Sequence, residues 1–196
     1  MSLTLEKYLE MYAKDVPHAH EVKRLAGMIF DEVSHHIKEM PYSQKKLLET
    51  AALLHDIGYF VDSKGHNKHS QNLIIENGIQ NFNSDETAMI SCIARYHRGS
   101  LPDKTQHPIY MDFDKKERKI IKRLSGILRI ADGLDGAHRA LIKKVQIDFD
   151  RENSIAKFKL YPNIQEYRPD ITYAARKRDL FETAFKCQSI LVFNDK

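Results

Sequence analysis

The amino-acid sequence predicts a mainly α-helical fold with a small α+β extension at its C-terminus. Apolar residues recur at helical spacing from the N-terminal region to about Leu141. After that point apolar and polar residues alternate, which is typical of β-strands. Neither an internal repeat nor a linker-like segment divides the chain. We therefore expect a helical domain over 1–142 and an α+β extension over 143–196 that packs on it.

The composition is that of a globular domain. Of the 196 residues, 42% are hydrophobic and 30% are charged. No apolar run is long enough to span a membrane, and the N-terminus does not resemble a signal peptide. The two cysteines, Cys92 and Cys187, lie far apart and form neither a disulfide framework nor a CxxC metal site. We expect a cytoplasmic protein, either a monomer or a homodimer.

The net charge is +4, and basic residues concentrate in three runs: "DKKERKIIKR" (114–123), "IKK" (142–144) and "RKR" (176–178). Such runs are most often solvated helix faces, but they also attract anionic substrates. The sequence contains no nucleic-acid-binding motif, so nucleic acid ranks last among the expected partners. An anionic small molecule that contains phosphate ranks first.

The first three helices have clear termini. The first starts after Val16, with Pro17 at its first position. The second is capped by Ser43 and closed by Gly58, and the third covers roughly 66–77 and ends at the following glycine.

Two further helices precede the predicted β-hairpin and the C-terminal helix. The fourth helix begins at Ser84 and stops near Gly99, and the fifth opens with the capping box "DKKE" at 114–117. The alternating segments "VQIDFD" and "AKFKLY" then predict a β-hairpin. A helix around "AARKRDLFETAFK" and the short apolar segment "SILVF" complete the chain.

The stretch "LLETAALLHDIGYF" (47–60) places an imidazole and a carboxylate side by side, at His55 and Asp56, where an apolar helix ends. Adjacent helical residues point about 100° apart, so both side chains cannot face the core, yet both can reach an ion beyond the helix end. The C-terminal end of a helix carries partial negative charge, which favours a cation there. Taken alone, the pattern is a weak signal that is better explained by a structural histidine beside a C-cap aspartate.

The other helices bring further histidines and one aspartate towards the same interior. His18 lies in the first turn of the first helix, and His66 and His69 lie three residues apart on the third. His97 falls in the last turn of the fourth helix, on its apolar side, and Asp132 lies at the margin of the apolar stripe of the fifth. A carboxylate in that place must be paired or coordinated, because an unpaired buried charge is too costly.

The order H…HD…H…H…D on consecutive helices resembles the signature of the HD superfamily of metal-dependent phosphohydrolases. The segments "LLHDIGYFVDSKGHNKHSQNLI", "ARYHRG" and "LRIADGLDGAHR" are similar to the C-terminal HD-like domain of the exopolyphosphatase / guanosine pentaphosphatase (Ppx/GppA) family. The resemblance implies an HD-domain, phosphodiesterase-like helical bundle. Because the chain has no glycine-rich phosphate loops of that family's actin-like domain, we expect the tail domain as a stand-alone protein.

The resemblance implies a metal site on named residues. His18, His55, Asp56 and Asp132 would hold one divalent ion, with His20 as the competing choice for the first histidine. Imidazole and carboxylate ligands suit manganese, iron, zinc, cobalt, nickel or magnesium better than calcium.

A second ion is also implied by the resemblance. Asp56 would bridge to an ion held by His69 and His97, with His66 as a further candidate ligand. Where two-metal relatives have a second histidine after the position of His97, this chain has Arg98. The expected number of ions is therefore one or two.

The expected activity is metal-assisted hydrolysis of a phosphoester or phosphoanhydride of a nucleotide or another small phosphate compound. A divalent ion lowers the pKa of water towards neutrality. Asp56 would position the nucleophile, and Arg98 and Lys68 would steady the negative charge that develops on the phosphoryl oxygens. The alternative is a non-catalytic module that senses nucleotide or polyphosphate, or that docks to a partner. The retained set of polar ligands favours the enzyme.

Overall fold

The computed structural model of the protein describes residues 2–164 and 167–194. In chain order its elements are α1 (Leu5–Tyr12), α2 (Val16–His36), α3 (Tyr42–Leu54), a 3-10 turn (Ile57–Phe60), α4 (His66–Asn77), α5 (Ser84–Arg95), α6 (Pro108–Met111), α7 (Lys115–Leu134), β1 (Ile142–Asp150), β2 (Ile155–Pro162), α8 (Thr172–Arg176), α9 (Asp179–Phe185) and β3 (Gln188–Phe193). The prediction of a mainly helical chain with a small sheet near its C-terminus is confirmed. No helix within the described residues is long and apolar enough to cross a bilayer.

The core of the helical part forms around α2 and α7, the two longest helices. The predicted capping box starts α7: the Asp114 carboxylate accepts the backbone N–H of Glu117 (2.7 Å), and the Glu117 carboxylate accepts that of Asp114 (2.9 Å). Its apolar stripe, which includes Ile121, Leu124 and Leu128, is fully buried. α3 packs on both α2 and α5, and α4 packs on α5. This packing brings the C-terminal ends of α3 and α5 close to α4.

Three helix boundaries differ from the prediction, and one helix has no predicted counterpart. α3 ends at Leu54 and not near Gly58, which lies in the 3-10 turn. α3 begins at Tyr42 with Pro41 at its N-cap instead of Ser43. α5 ends at Arg95, so His97 lies in the turn beyond the helix and not in its last turn. α1 has no counterpart in the sequence-based prediction, although Leu5, Tyr8, Leu9 and Tyr12 recur at helical spacing over its eight residues.

The predicted hairpin is confirmed, and β3 extends it. β1 pairs with β2 in antiparallel register, with Ile147 opposite Phe158, and β2 pairs with β3 in parallel. Phe158 is fully buried and contacts the ring of Phe181 on α9, at 5.2 Å between centroids. The sheet and α9 thus share one apolar layer, which packs on the helical part through contacts of β1 with α2 and of α9 with α7.

The single helix predicted around "AARKRDLFETAFK" is instead two short helices, α8 and α9. Lys177 and Arg178 separate them. The guanidinium of Arg178 donates to the carbonyl oxygens of Ala175 and Ser189, which holds the break in place. Outside a helix, Lys177 reaches across to Asp132 on α7.

Two glycines allow α8 and α9 to lie directly against α7. A Cβ built on Gly126 would lie 2.8 Å from the Cα of Phe181, and one built on Gly133 would lie 2.5 Å from the Cα of Ala174. Real Cβ atoms do not approach backbone atoms so closely, so any larger residue forces the helices apart. The two glycines therefore set the distance between the C-terminal segment and the helical core.

We expect Gly126→Ala to destabilise the protein by about 1–3 kcal/mol, because the added methyl group has no room against the backbone of α9. Gly27→Ala on α2 is the matched control. Its Cβ would meet only the flexible ends of Glu49 and Lys45, at 3.0 Å and 3.5 Å, and alanine has the higher helix propensity. Urea unfolding of both variants measures the difference. Equal stability of the two variants would contradict the close contact of α7 and α9.

Candidate metal centre

The residues His55 and Asp56 lie where α3 ends and the 3-10 turn begins. Gly58 donates its backbone N–H to Ser70 Oγ on α4 (2.9 Å), and Ser70 Oγ donates to the carbonyl of His55 (2.6 Å). A Cβ at Gly58 would lie 1.9 Å from the carbonyl oxygen of His66, so only glycine fits. The "HDIG" turn is consequently pressed against the start of α4, and His66 comes to lie beside Asp56.

Four buried histidines share one arrangement, in which Nδ1 binds a protein oxygen and Nε2 points inward. The pairs are His55 with the carbonyl of Ala52 (2.7 Å), His97 with that of Ala94 (2.7 Å), His66 with that of Ser63 (3.0 Å), and His18 with the carboxylate of Asp135 (2.8 Å). In a neutral imidazole whose Nδ1 carries the proton, Nε2 carries the lone pair. This arrangement fixes ring orientation in metal-binding histidines.

Asp56 lies at the centre of the four inward-facing nitrogens. Its Oδ1 is 3.2 Å from His66 Nε2 and 3.4 Å from His97 Nε2. Its Oδ2 is 3.4 Å from His55 Nε2 and 3.9 Å from His18 Nε2. Each oxygen of one carboxylate therefore faces a different pair of imidazoles, which is the geometry of a bridging ligand.

Asp132 on α7 completes one side of this cluster. Its Oδ1 is 3.5 Å from His18 Nε2 and 3.7 Å from His55 Nε2. Its Oδ2 is ion-paired with Lys177. The carboxylate is only 8% exposed, which makes uncompensated burial of its charge costly.

The distances within the cluster fit a cation better than direct hydrogen bonds. Most exceed the usual 2.7–3.2 Å of an N–H···O bond. Atoms bound to one ion at about 2.1 Å lie about 3–3.4 Å apart. Within the described part of the chain, Nε2 of His18 and of His55 are buried without a hydrogen-bond partner. The ligand atoms form three groups within 4.8 Å: His18, His55 and Asp56; His55, His97 and Asp132; and Asp56, His66 and His97.

The electrostatics of the cluster also favour a cation. Burial raises the pKa of Asp56, but the neighbouring imidazoles of His55 and His66 outweigh it and hold that pKa far below its usual range. Burial lowers the pKa of His55, but the carboxylates of Asp56 and Asp132 raise it to about 10. Burial and the charge of His55 lower the pKa of His97 to about 3. The site thus holds ionised carboxylates whose charge is balanced either by protonated imidazoles or by a bound cation.

A cavity of about 320 Å³ opens onto this cluster. Asp56, His66, His97 and Asp132 form part of its wall, and Arg98 and Lys177 add positive charge. The turn that carries Arg98 is fixed from two sides. The buried Arg129 donates to the carbonyls of residues 96 and 99 (3.2 and 3.3 Å), and the Asn67 amide donates to that of residue 95 (2.8 Å). The cavity therefore combines acidic ligands with cationic side chains suited to a phosphate group.

The structure brings most of the expected site residues together, and the two exceptions are His69 and Lys68. His18, His55, Asp56, His97 and Asp132 meet in the cluster, whereas the competing choice His20 is exposed.

His66, and not His69, joins the cluster from α4. The buried positions of this helix are His66, Ser70, Gln71 and Ile74. At 100° per residue, His69 points about 120° away from the centre of that stripe. Lys68 is exposed and is not part of the cavity wall, because it points to the opposite side of α4 from His66.

Two residues of the site have no counterpart in the sequence-based prediction. Asp135 is buried, binds His18 and also accepts the backbone N–H groups of Arg139 (3.1 Å) and Ala140 (2.8 Å). Lys177 belongs to the run "RKR", which resembles any solvated basic stretch. Asp135 could have been predicted from the sequence, because it lies three residues after Asp132 and so close to the same helix face. Nothing in the local sequence distinguishes Lys177 from the basic residue that follows it.

Fold and site together define a mainly helical domain with a candidate centre for divalent cations. The family model described as Ppx/GppA phosphatase, domain III, matches residues 2–173, and the chain belongs to this family. The chain is also similar to a guanosine-5'-triphosphate,3'-diphosphate pyrophosphatase of Vibrio campbellii, at 27% identity over 122 residues. That match covers 61% of this chain and 24% of the relative, so the chain matches about a quarter of the relative's length.

We expect the purified protein to bind up to two manganese ions per chain, and His66→Ala to remove one of them. His69→Ala is the matched control, because it changes the same residue type on the same helix outside the cluster. Metal content after dialysis, measured by mass spectrometry, distinguishes the variants. Loss of metal from the His69 variant, or full retention by the His66 variant, would contradict the assignment.

Proposed function

We propose that the chain is a metal-dependent phosphohydrolase of the HD type. Its reaction would be hydrolysis of a phosphoester or phosphoanhydride in a nucleotide or another small phosphate compound. The observation that carries the proposal is the convergence of four Nδ1-anchored imidazoles on Asp56, with Asp132 beside them. A structural role alone does not require buried Nε2 atoms without partners.

The donor set supports two adjoining cation positions. One would be formed by His18, His55, Asp132 Oδ1 and Asp56 Oδ2, and the other by His66, His97 and Asp56 Oδ1. Mixed nitrogen and oxygen ligands suit manganese, iron, zinc, cobalt or nickel. A divalent ion held there acts as a Lewis acid, lowers the pKa of water and offsets the charge of a phosphate group.

The chain's own side chains have distinct roles in this proposal. Asp56 would accept a hydrogen bond from the attacking water and so orient it. Arg98 and Lys177 would bind the phosphoryl oxygens, where negative charge increases in the transition state. Their guanidinium and ammonium groups line the same cavity as the acidic ligands. The similarity to a pyrophosphatase of a guanosine nucleotide and the match to a phosphatase family support this reaction class.

We expect the manganese-loaded protein to hydrolyse a generic phosphomonoester and Asp56→Asn to reduce kcat/KM by about a thousandfold or more, which corresponds to about 4 kcal/mol. An amide in place of this carboxylate removes the negative charge that faces all four imidazoles. Asp112→Asn, at an exposed position outside the cluster, is the control and should retain activity. A protein that holds manganese but hydrolyses no phosphate compound would be a non-catalytic module, which refutes the proposal.

We expect Lys177→Met to reduce kcat/KM about 10- to 100-fold while the manganese content stays the same, because one charge-assisted hydrogen bond to phosphate is lost. Lys119→Met, exposed on α7, is the matched control. Steady-state kinetics and metal analysis on the same samples check both parts. If Lys177→Met releases the metal, the lysine balances the charge of Asp132 and does not bind phosphate.

A further inference from the structure

A second cavity adjoins the metal centre and differs from it in character. It measures about 200 Å³ and is lined chiefly by the aliphatic side chains of Ala13, Ala19, Leu53 and Ile57. Ala19, Leu53 and Ile57 are buried, whereas Lys14 and His138 are exposed, so this cavity has an apolar inner wall and a polar rim that opens to solvent. They come from the end of α1, from α2, from α3 and from the 3-10 turn.

The two cavities share part of their walls. Asp56, Tyr59 and His138 line both. Tyr59 stacks on His66 at 3.8 Å between ring centroids, and His138 stacks on His18 at 3.7 Å. An occupant of the apolar cavity therefore lies beside the carboxylate at the centre of the metal cluster.

The polar side chains at the apolar cavity either have hydrogen-bond partners within the protein or face solvent. Asp15 accepts the backbone N–H of His18 (2.9 Å) and binds Nδ1 of His138 (2.8 Å). Lys14 is exposed, so its ammonium group faces solvent at the rim. The cavity therefore offers no buried cation to a phosphate, whereas the neighbouring cavity offers Arg98 and Lys177.

We infer that the apolar cavity binds the organic group of the substrate while its phosphate occupies the metal-centre cavity. The substrate is then a phosphate ester whose alcohol carries a compact apolar or aromatic group, and not an inorganic phosphate chain. A cavity of about 150 Å³ with aliphatic walls is known to hold a benzene ring, so this one accommodates a ring or about six carbon atoms. The inference rests on the proposed function, because it assigns the leaving group of the same reaction.

Alkylphosphonates test the inference without hydrolysis, because their carbon–phosphorus bond is stable to it. We expect the affinity of the manganese-loaded full chain to rise about three- to fourfold per methylene from methyl- to hexylphosphonate, measured by calorimetry. Ala13→Leu fills part of the cavity and should flatten this dependence. Ala184→Leu makes the same change on α9, away from both cavities, and should leave the dependence as it is in the unchanged protein.

The outcomes separate the two proposals. Equal affinities for methyl- and hexylphosphonate in the unchanged protein overturn the inference, whether or not the Ala13 variant folds. Hydrolysis of methyl and hexyl phosphate with equal kcat/KM overturns it as well and leaves the proposed function intact. Binding of the phosphonates without hydrolysis of either ester, of a generic phosphomonoester or of a nucleotide phosphoanhydride overturns the proposed function.

Discussion

The geometry of the candidate metal centre depends on hydrogen bonds made by Nδ1 of its histidines, on the side of each ring away from Asp56. His55 and His97 each follow the end of a helix, and each binds the carbonyl three residues earlier, at Ala52 and Ala94. The last carbonyls of a helix have no partner within the helix. The two imidazoles therefore satisfy the ends of α3 and α5 and, through the same bonds, direct Nε2 towards Asp56. At both positions the same hydrogen bond caps the helix end and orients the imidazole ring.

The buried carboxylates of the cluster require positive charge close to them. Asp132 is 8% exposed and Asp56 faces four imidazoles, so both carboxylates are ionised in a region with little water. The ammonium of Lys177 offsets part of this charge at Asp132 Oδ2. Asp132 Oδ1 faces the Nε2 atoms of His18 and His55 at 3.5 and 3.7 Å, distances longer than good hydrogen bonds. A group of this kind is costly as a structural element, which is why a cation-binding role accounts for it better than core packing.

The C-terminal segment takes part in the site and does more than cover the helical core. Gly126 and Gly133 let α8 and α9 lie on α7, and the break between these two helices directs Lys177 to Asp132. Tyr173 of α8 lines the same cavity. The boundary predicted between 142 and 143 thus lies at the start of the sheet, while the cavity draws residues from both sides of it.

The sequence by itself determined the helical class, the hairpin and four of the ligand candidates, and it left His18 open against His20. Capping boxes, apolar periodicity and strand alternation are local, and a histidine or aspartate on an apolar stripe must face the interior. Only the tertiary structure decided between His66 and His69. The two residues lie near each other on the surface of α4, and the packing of α4 against Gly58 determines which of them faces the cluster. It also supplied Asp135 and Lys177, whose partners lie 117 and 45 residues away in the chain. Contacts over such distances arise from packing, and no local pattern encodes them.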